Sequence, residues 1–370
     1  MISFIWEPGL VLPAGTGGSE NYTIGHVREL NRRGVKAQVV TIGVGLKDGR
    51  DEFTDIPFTS LDTIAEVSDL PGIVVFVTAF PVVRTRHPAY QILHIPPPLR
   101  NPERHRAKIQ ARDRTLIATS RFAAGLWAEF LDVDIATISV VYPFAEPCFS
   151  RQGRRRRDDR REIKVLYAGR LSPEKGIYTL LATLHNDLIV TDDRLRFTVT
   201  TAGADKPQGR IIKRLLSQHP EISLVPARKS PSAVADLMAD HDIIVMPSTS
   251  QYWHETFGIV SIEAQHTGCR VVASNCGGLP ETDCGGLVLV ASDNPEALAQ
   301  GIHEAIAQGP LSARERRSAG LRFTVGQSVD DLLGVLRRPN VPTPAEVLNE
   351  LETMALVASE PRVSPIELIA

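Results

Sequence analysis

Two glutamates, Glu255 and Glu263, stand eight positions apart in the stretch HETFGIVSIEAQHTG (254–268), and two cations, Arg170 and Lys175, stand in GRLSPEKG (169–176). A guanidinium grips phosphate with two parallel bonds, and an ammonium adds a compact charge. A carboxylate held among apolar neighbours is costly unless donors such as sugar hydroxyls bond to it. Anion binding and hydroxyl binding are therefore the chemistries within reach. Taken singly, each glutamate also has a plainer reading: Glu263 paired with a structural arginine, Glu255 a solvated loop acid.

The flanking elements place these groups. The run DIIVMPS (242–248) is apolar and β-branched and reads as a buried parallel strand, while 258–267 reads as a short helix closed by Gly268. Glu255 then lies in the loop leaving a strand's carboxyl end, and Glu263 about a turn and a half into the helix. The amides of Phe257, Gly258 and Ile259 fall at the helix start, where unpaired donors and the dipole favour an anion. GRLSPEKG follows a strand at 163–168, with Arg170 at its end and Lys175 near the next helix. The Walker pattern is absent, since Glu174 precedes Lys175 and Gly176 follows it, which argues against an ATPase.

The first half opens with a strand at 2–6, the small-residue loop PAGTGGSEN, a helix at 20–33 and a strand at 37–42. Gly17-Gly18 lets backbone approach a ligand at that helix N-terminus, a plain tight turn being the alternative. The dinucleotide fingerprint fails: Glu20 stands where its third glycine belongs, and Thr41-Ile42-Gly43 offers no acid for a ribose. Strand signals at 73–77, 90–94, 115–118 and 137–141 alternate with helical runs at 61–66, 102–112 and 120–130. Such alternation predicts a parallel sheet with helices on both faces. His94 ends a strand at the ligand-binding edge, although a lone histidine is more often structural. Asp132-Val133-Asp134 reads as a surface turn and not a metal clamp. Arg84, Arg86, Arg100, Arg104, Arg106, Lys108, Arg112 and Arg114 read as a solvated face, with an anionic acceptor or peripheral membrane contact left open.

A chain of 370 residues is long enough for two domains of common size. The segment 146–161, with a proline, a glycine and the Arg154–Arg157 run, separates a domain at 1–145 from one at 162–324. The second half alternates strand signals at 196–201, 222–225, 270–273 and 287–290 with helices. An amphipathic run at 325–336 finishes that domain, and a capping box at Thr343 and Glu346 starts one more helix in the tail. The formal net charge of −2 gives no reason to expect nucleic-acid binding. No apolar stretch is long enough to span a bilayer, and the start MISFIWEPG lacks a basic region and cleavage site, so a cytoplasmic location is expected. Cys148, Cys269, Cys276 and Cys284 show no CxxC spacing and read as free thiols.

In order along 1–337, GGSEN, GRLSPEKG, the MPS strand end, the E-x7-E pair and RVVASNCGGLPE resemble family 4 of the retaining glycosyltransferases. That resemblance implies an α/β chain of two facing Rossmann-like domains with parallel sheets, the GT-B fold, with a ligand cleft between them. It implies transfer of a sugar from a nucleotide diphosphate-sugar donor to a hydroxyl-bearing acceptor, with no metal and no cofactor. Arg170 and Lys175 would hold the diphosphate, Glu255 would contact the transferred sugar, and the amides near Phe257, Gly258 and Ile259 would face both. Glu263 would bind ribose hydroxyls, Gly17 and Gly18 would approach the diphosphate from the other domain, and His94 would lie near the sugar. Same-face attack assisted by the leaving phosphate is the expected route to retention. A non-catalytic sugar-nucleotide-binding partner subunit and a sugar-nucleotide epimerase are the competing readings.

Overall fold

The computed structural model describes residues 1–12, 17–152, 162–251 and 255–337; Arg154–Arg157 and the tail helix expected near 343 lie outside them. The first seven strands are β1 (Ile2–Ile5), β2 (Ala37–Ile42), β3 (Phe58–Leu61), β4 (Ile73–Phe76), β5 (Ala89–Leu93), β6 (Thr115–Ala118) and β7 (Ser139–Val140). They form one sheet in the order β3-β2-β1-β4-β5-β6-β7, with every pairing parallel. A second parallel sheet takes β8 (Ile163–Tyr167), β9 (Leu195–Thr200), β10 (Ile222–Val225), β11 (Ile243–Met246), β12 (Arg270–Ser274) and β13 (Leu287–Val290) in the order β10-β9-β8-β11-β12-β13. Both orders reverse beside the first strand, which is the doubly wound plan that opens a ligand crevice at the carboxyl ends of the strands. The chain is thus two Rossmann-like domains, as the alternation of elements predicts.

Continuous apolar runs explain the central strands. Every residue of β1 and β2 is buried, as is every residue of β12, because helices cover both faces. The edge is different. Residues 58–61 (FTSL) form a half-buried strand followed by a 3₁₀ turn at Ile64–Asp69, where the sequence suggests a helix over 61–66. An edge strand shields little apolar surface, so it lacks the continuous hydrophobic run by which an inner strand is recognised.

Five helices matter for the site: α1 (Gly18–Arg32), α2 (Asn101–Ala111), α3 (Arg121–Leu131), α4 (Ile259–Thr267) and α5 (Val325–Leu336). Helix α5 does not finish the second domain, contrary to the sequence expectation. It crosses back, and Val329 and Leu332 are fully buried in the first domain's core with Phe4, Tyr22, Val27 and Leu30. Ser328 Oγ donates to the Tyr142 carbonyl at 2.6 Å, and Tyr90 Oη to the Leu336 carbonyl at 2.9 Å. Amphipathic spacing shows that a helix has a face to bury, but not which core will take it.

Leu332→Ala should therefore destabilise the first domain by about 2–4 kcal/mol, the usual range for a leucine truncated in a close-packed core. Urea unfolding followed by tryptophan fluorescence measures it; a loss below about 0.5 kcal/mol would contradict this docking.

Candidate functional site

The carboxyl edges of the two sheets face each other across a cleft of about 660 Å³. Gly17, Gly18, His94, Arg170, Lys175, Glu255, Phe257, Gly258 and Ile259 all line it. That volume suits a small-molecule ligand. A second hollow of similar size, about 690 Å³, lies behind the domain junction and holds none of these residues, so the cleft is the candidate site.

The loop from β11 to α4 carries Glu255 and turns sharply into the helix. Gly258 makes that turn at φ 98°, and a Cβ there would stand 2.5 Å from a Leu279 methyl. Among the described residues no side chain caps this end of α4, while Gly258 and Ile259 border the cleft. The loop is buttressed by the glycines of SNCGGLPE: the Gly278 amide donates to the Glu255 carbonyl at 2.8 Å, and a Cβ on Gly278 would come within 2.3 Å of the Thr256 carbonyl oxygen. Phe257 turns its ring away into an aromatic group with Tyr142 and Phe323, at 5.7 and 5.5 Å. Its contribution to the cleft is therefore backbone.

Lys175 Nζ is ion-paired with Glu255 Oε2, and both side chains are largely shielded. Arg170 is more exposed and lies 3.7 Å from Glu174 Oε1. The loop bearing both cations is tied to the core by Tyr167, whose hydroxyl reaches the Arg170 carbonyl at 2.9 Å and the Lys175 carbonyl at 3.3 Å. Strand patterning marks Tyr167 only as an inward residue, so this tether was not legible in the sequence. Glu20 was missed as well, although it stands inside GGSEN. Its carboxylate folds back over the start of α1, where a Cβ on Gly17 would lie 2.1 Å from Oε2, and it accepts from Ser19 Oγ at 3.0 Å. The α1 N-terminus is thus already faced by an anion of its own.

His94 lies one residue beyond β5, edge-on to Tyr22 with ring centres 4.7 Å apart. Burial, with a smaller contribution from His26, lowers its pKa to about 3, so the imidazole is neutral near pH 7. Its Nε2 is buried without a partner among the described residues. Glu263 is set apart from the other nine site residues, in a small adjoining hollow of about 60 Å³ that shares Ala168, Ala202 and Val260 with the cleft. The residue is 5% exposed, and burial, then the charge of Glu146, raises its pKa to about 8. Among the described residues no arginine pairs with it.

Other sequence readings resolve as follows. Asp132 closes α3 at φ 59° and Asp134 caps the next 3₁₀ turn, accepting from the Ala136 amide at 2.9 Å, as a surface turn should. Arg114 does not belong to a solvated face. It is buried over the Phe76 ring and donates to Gln91 Oε1, Gln110 Oε1 and the Pro81 carbonyl at 2.7, 2.7 and 2.6 Å. The cysteines are free thiols. Among the described residues no group of three or more His, Cys, Asp or Glu is placed to hold a metal, and no helix is long and apolar enough to cross a membrane.

Residues 162–308 match the family Glycosyl transferases group 1. The group 1 match covers GRLSPEKG, the E-x7-E pair and the glycine loop that supports it. The chain is 32% identical over 193 residues to a D-inositol 3-phosphate glycosyltransferase of Jonesia denitrificans, covering 48% of this chain and 43% of that protein. It spans about half the length of the curated relatives it matches. Among solved structures, a glycosyltransferase from Rickettsia africae superposes with a TM-score of 0.72 at 18% identity, covering 94% of this chain and 98% of that one. Anabaena Alr3699/HepE, solved in complex with UDP and glucose, gives 0.70 at 18% identity, covering 91% and 99%. These likenesses show the GT-B fold for nearly the whole chain.

The Glu263 carboxyl makes a pH prediction. Its folded pKa, about 8, lies above the ordinary 4.5, so unfolding releases a proton between those values and its burial costs more stability as pH rises toward 8. Below pH 4 it is protonated in both states and costs nothing of this kind. Glu263→Gln should therefore raise the melting temperature at pH 7–8, by the equivalent of about 0.5–2 kcal/mol, with the difference closing by pH 4. A gap of equal size at pH 4 and pH 8 would contradict the buried carboxyl.

Proposed function

We propose that the chain is a retaining glycosyltransferase that moves a sugar from a nucleotide diphosphate-sugar to a hydroxyl acceptor without a metal. The observation that carries this reading is the convergence in one cleft of Arg170, Lys175, Glu255 and the start of α4, with Glu263 in the hollow beside it. The Glycosyl transferases group 1 match over this domain and the fold shared with a protein solved with UDP and glucose support it.

Breaking a sugar–phosphate bond puts negative charge on the departing diphosphate and positive charge on the anomeric carbon. Lys175 and Arg170 together with the α4 amides supply preorganised stabilisation for the first. Lys175 is held by Glu255. A diphosphate would take over the ammonium and leave the Glu255 carboxylate free to accept hydroxyls of the transferred sugar. The protonated Glu263 carboxyl, or its ionised form once bonded, suits a ribose diol. His94, neutral and unpartnered at Nε2, suits a sugar hydroxyl and not a charge. We place the acceptor against the first domain's wall, at Ser19, Glu20, Ile95 and Thr119. Relatives named for D-inositol 3-phosphate make that compound one acceptor to try. Retention follows from same-face attack, the acceptor proton passing to the leaving phosphate, and a cytoplasmic location fits a nucleotide-sugar donor.

A thermal-shift panel of nucleotide sugars, followed by mass spectrometry of products with candidate acceptors, tests the activity. Lys175→Ala should lower kcat/KM for the donor by on the order of 2–4 kcal/mol, about 30- to 1000-fold. An unchanged kcat/KM would remove Lys175 from the phosphate site, and a glycosyl adduct trapped on Glu255 would replace same-face attack with double displacement.

A further inference from the structure

Helix α3 belongs to the first domain, yet its N-terminus is capped by the second. The backbone N–H groups of Arg121 and Phe122 donate to Glu281 Oε2 and Oε1 at 2.9 and 2.8 Å. The Tyr142 hydroxyl donates to the same carboxylate at 2.7 Å. Ser120 Oγ accepts from the Ala123 amide at 2.9 Å, completing the first turn's donors, and itself donates to the Thr256 carbonyl at 2.5 Å. Thr256 Oγ1 in turn donates to the His94 carbonyl at 2.7 Å.

From this we infer that Glu281 is a positioning residue for the proposed reaction, docking the donor-side loop onto the first domain so that Glu255 and Thr256 stand at a fixed reach from His94. Two features argue for it beyond the bonds themselves. Glu281 sits on the glycine loop whose Gly278 amide holds the Glu255 carbonyl, so its anchorage passes directly to the residue proposed to touch the sugar. A helix N-terminus has unpaired donors and a positive dipole end, so a carboxylate supplied across the domain boundary is favoured there. The hollow of about 690 Å³ behind the junction is lined by Arg121, Tyr142 and Glu281, so water reaches this contact from the rear and can replace it when the domains part. The contact is thus breakable, which suits a cleft that must admit and release ligands. Glu281 itself does not line the cleft.

The inference rests on the glycosyltransferase reading for its kinetic effect but not for its structural one, and two measurements separate them. Small-angle scattering of the full chain should show a larger radius of gyration for Glu281→Ala than for the natural chain, with Tyr142→Phe closer to the latter. With UDP-glucose as donor probe, Glu281→Ala should lower kcat tenfold or more while the Kd for UDP, whose phosphates the proposal assigns to Arg170, Lys175 and the α4 amides within the second domain, stays within twofold. Glu281→Gln, which keeps one acceptor oxygen, should fall between the two and guards against misfolding of the alanine variant. An unchanged radius together with unchanged kcat overturns the inference. So does a loss of UDP affinity matching the loss of kcat, which would mean damage to the donor site. If the natural chain neither binds UDP nor turns over UDP-glucose, the functional reading fails for that donor, and the scattering comparison alone decides the latch.

Discussion

An ammonium and a carboxylate from two different loops of one domain, Lys175 and Glu255, meet at the edge of a cleft. The loops on either side are built to keep them there. Tyr167 ties down the segment that carries the lysine, and the Gly278 amide ties down the segment that carries the glutamate. A partly shielded ion pair of this sort gains little stability for the fold, because desolvation offsets most of the attraction. Under the proposed function, the pair is held ready to exchange partners. A phosphate competes for the cation and hydroxyls compete for the anion, so one ligand with both can satisfy each half without leaving a buried charge unpaired.

The constraint extends to the backbone. The turn into α4 requires a left-handed residue at Gly258, and the supporting loop must approach the Thr256 carbonyl more closely than any side chain allows at Gly278. Those requirements leave the start of α4 uncapped and open to the cleft. The same supporting loop carries Glu281, which reaches the first domain. One short segment therefore shapes the donor loop from below and relates the two domains to each other.

Much of this was legible from the chain. Alternating apolar runs and helical stripes gave both parallel sheets, because inner strands must be hydrophobic on both faces. Arg170, Lys175, Glu255 and the glycines were legible as residues at the carboxyl ends of strands, and the structure brings them along one cleft. Three things were hidden. The edge strand at 58–61 carries no buried run. The destination of α5 depends on a long-range choice between two cores, which periodicity cannot express. Contacts such as Tyr167 to the cation loop, Glu20 over Gly17, and Arg114 over Phe76 join residues whose meeting is set by tertiary packing, and a strand tyrosine or a helix-end arginine looks ordinary in sequence. His94 was legible as a strand-end residue, but its neutral state follows only from burial.

The partner exchange at Lys175 is the most direct point of test. A crystal structure of the chain with an intact nucleotide diphosphate-sugar should show Nζ of Lys175 moved from Glu255 to a phosphate oxygen, at about 2.7–2.9 Å, with Glu255 turned to the sugar and Glu263 to the ribose. A ligand bound elsewhere, or one seated in the cleft with the Lys175–Glu255 pair still closed, would contradict this account.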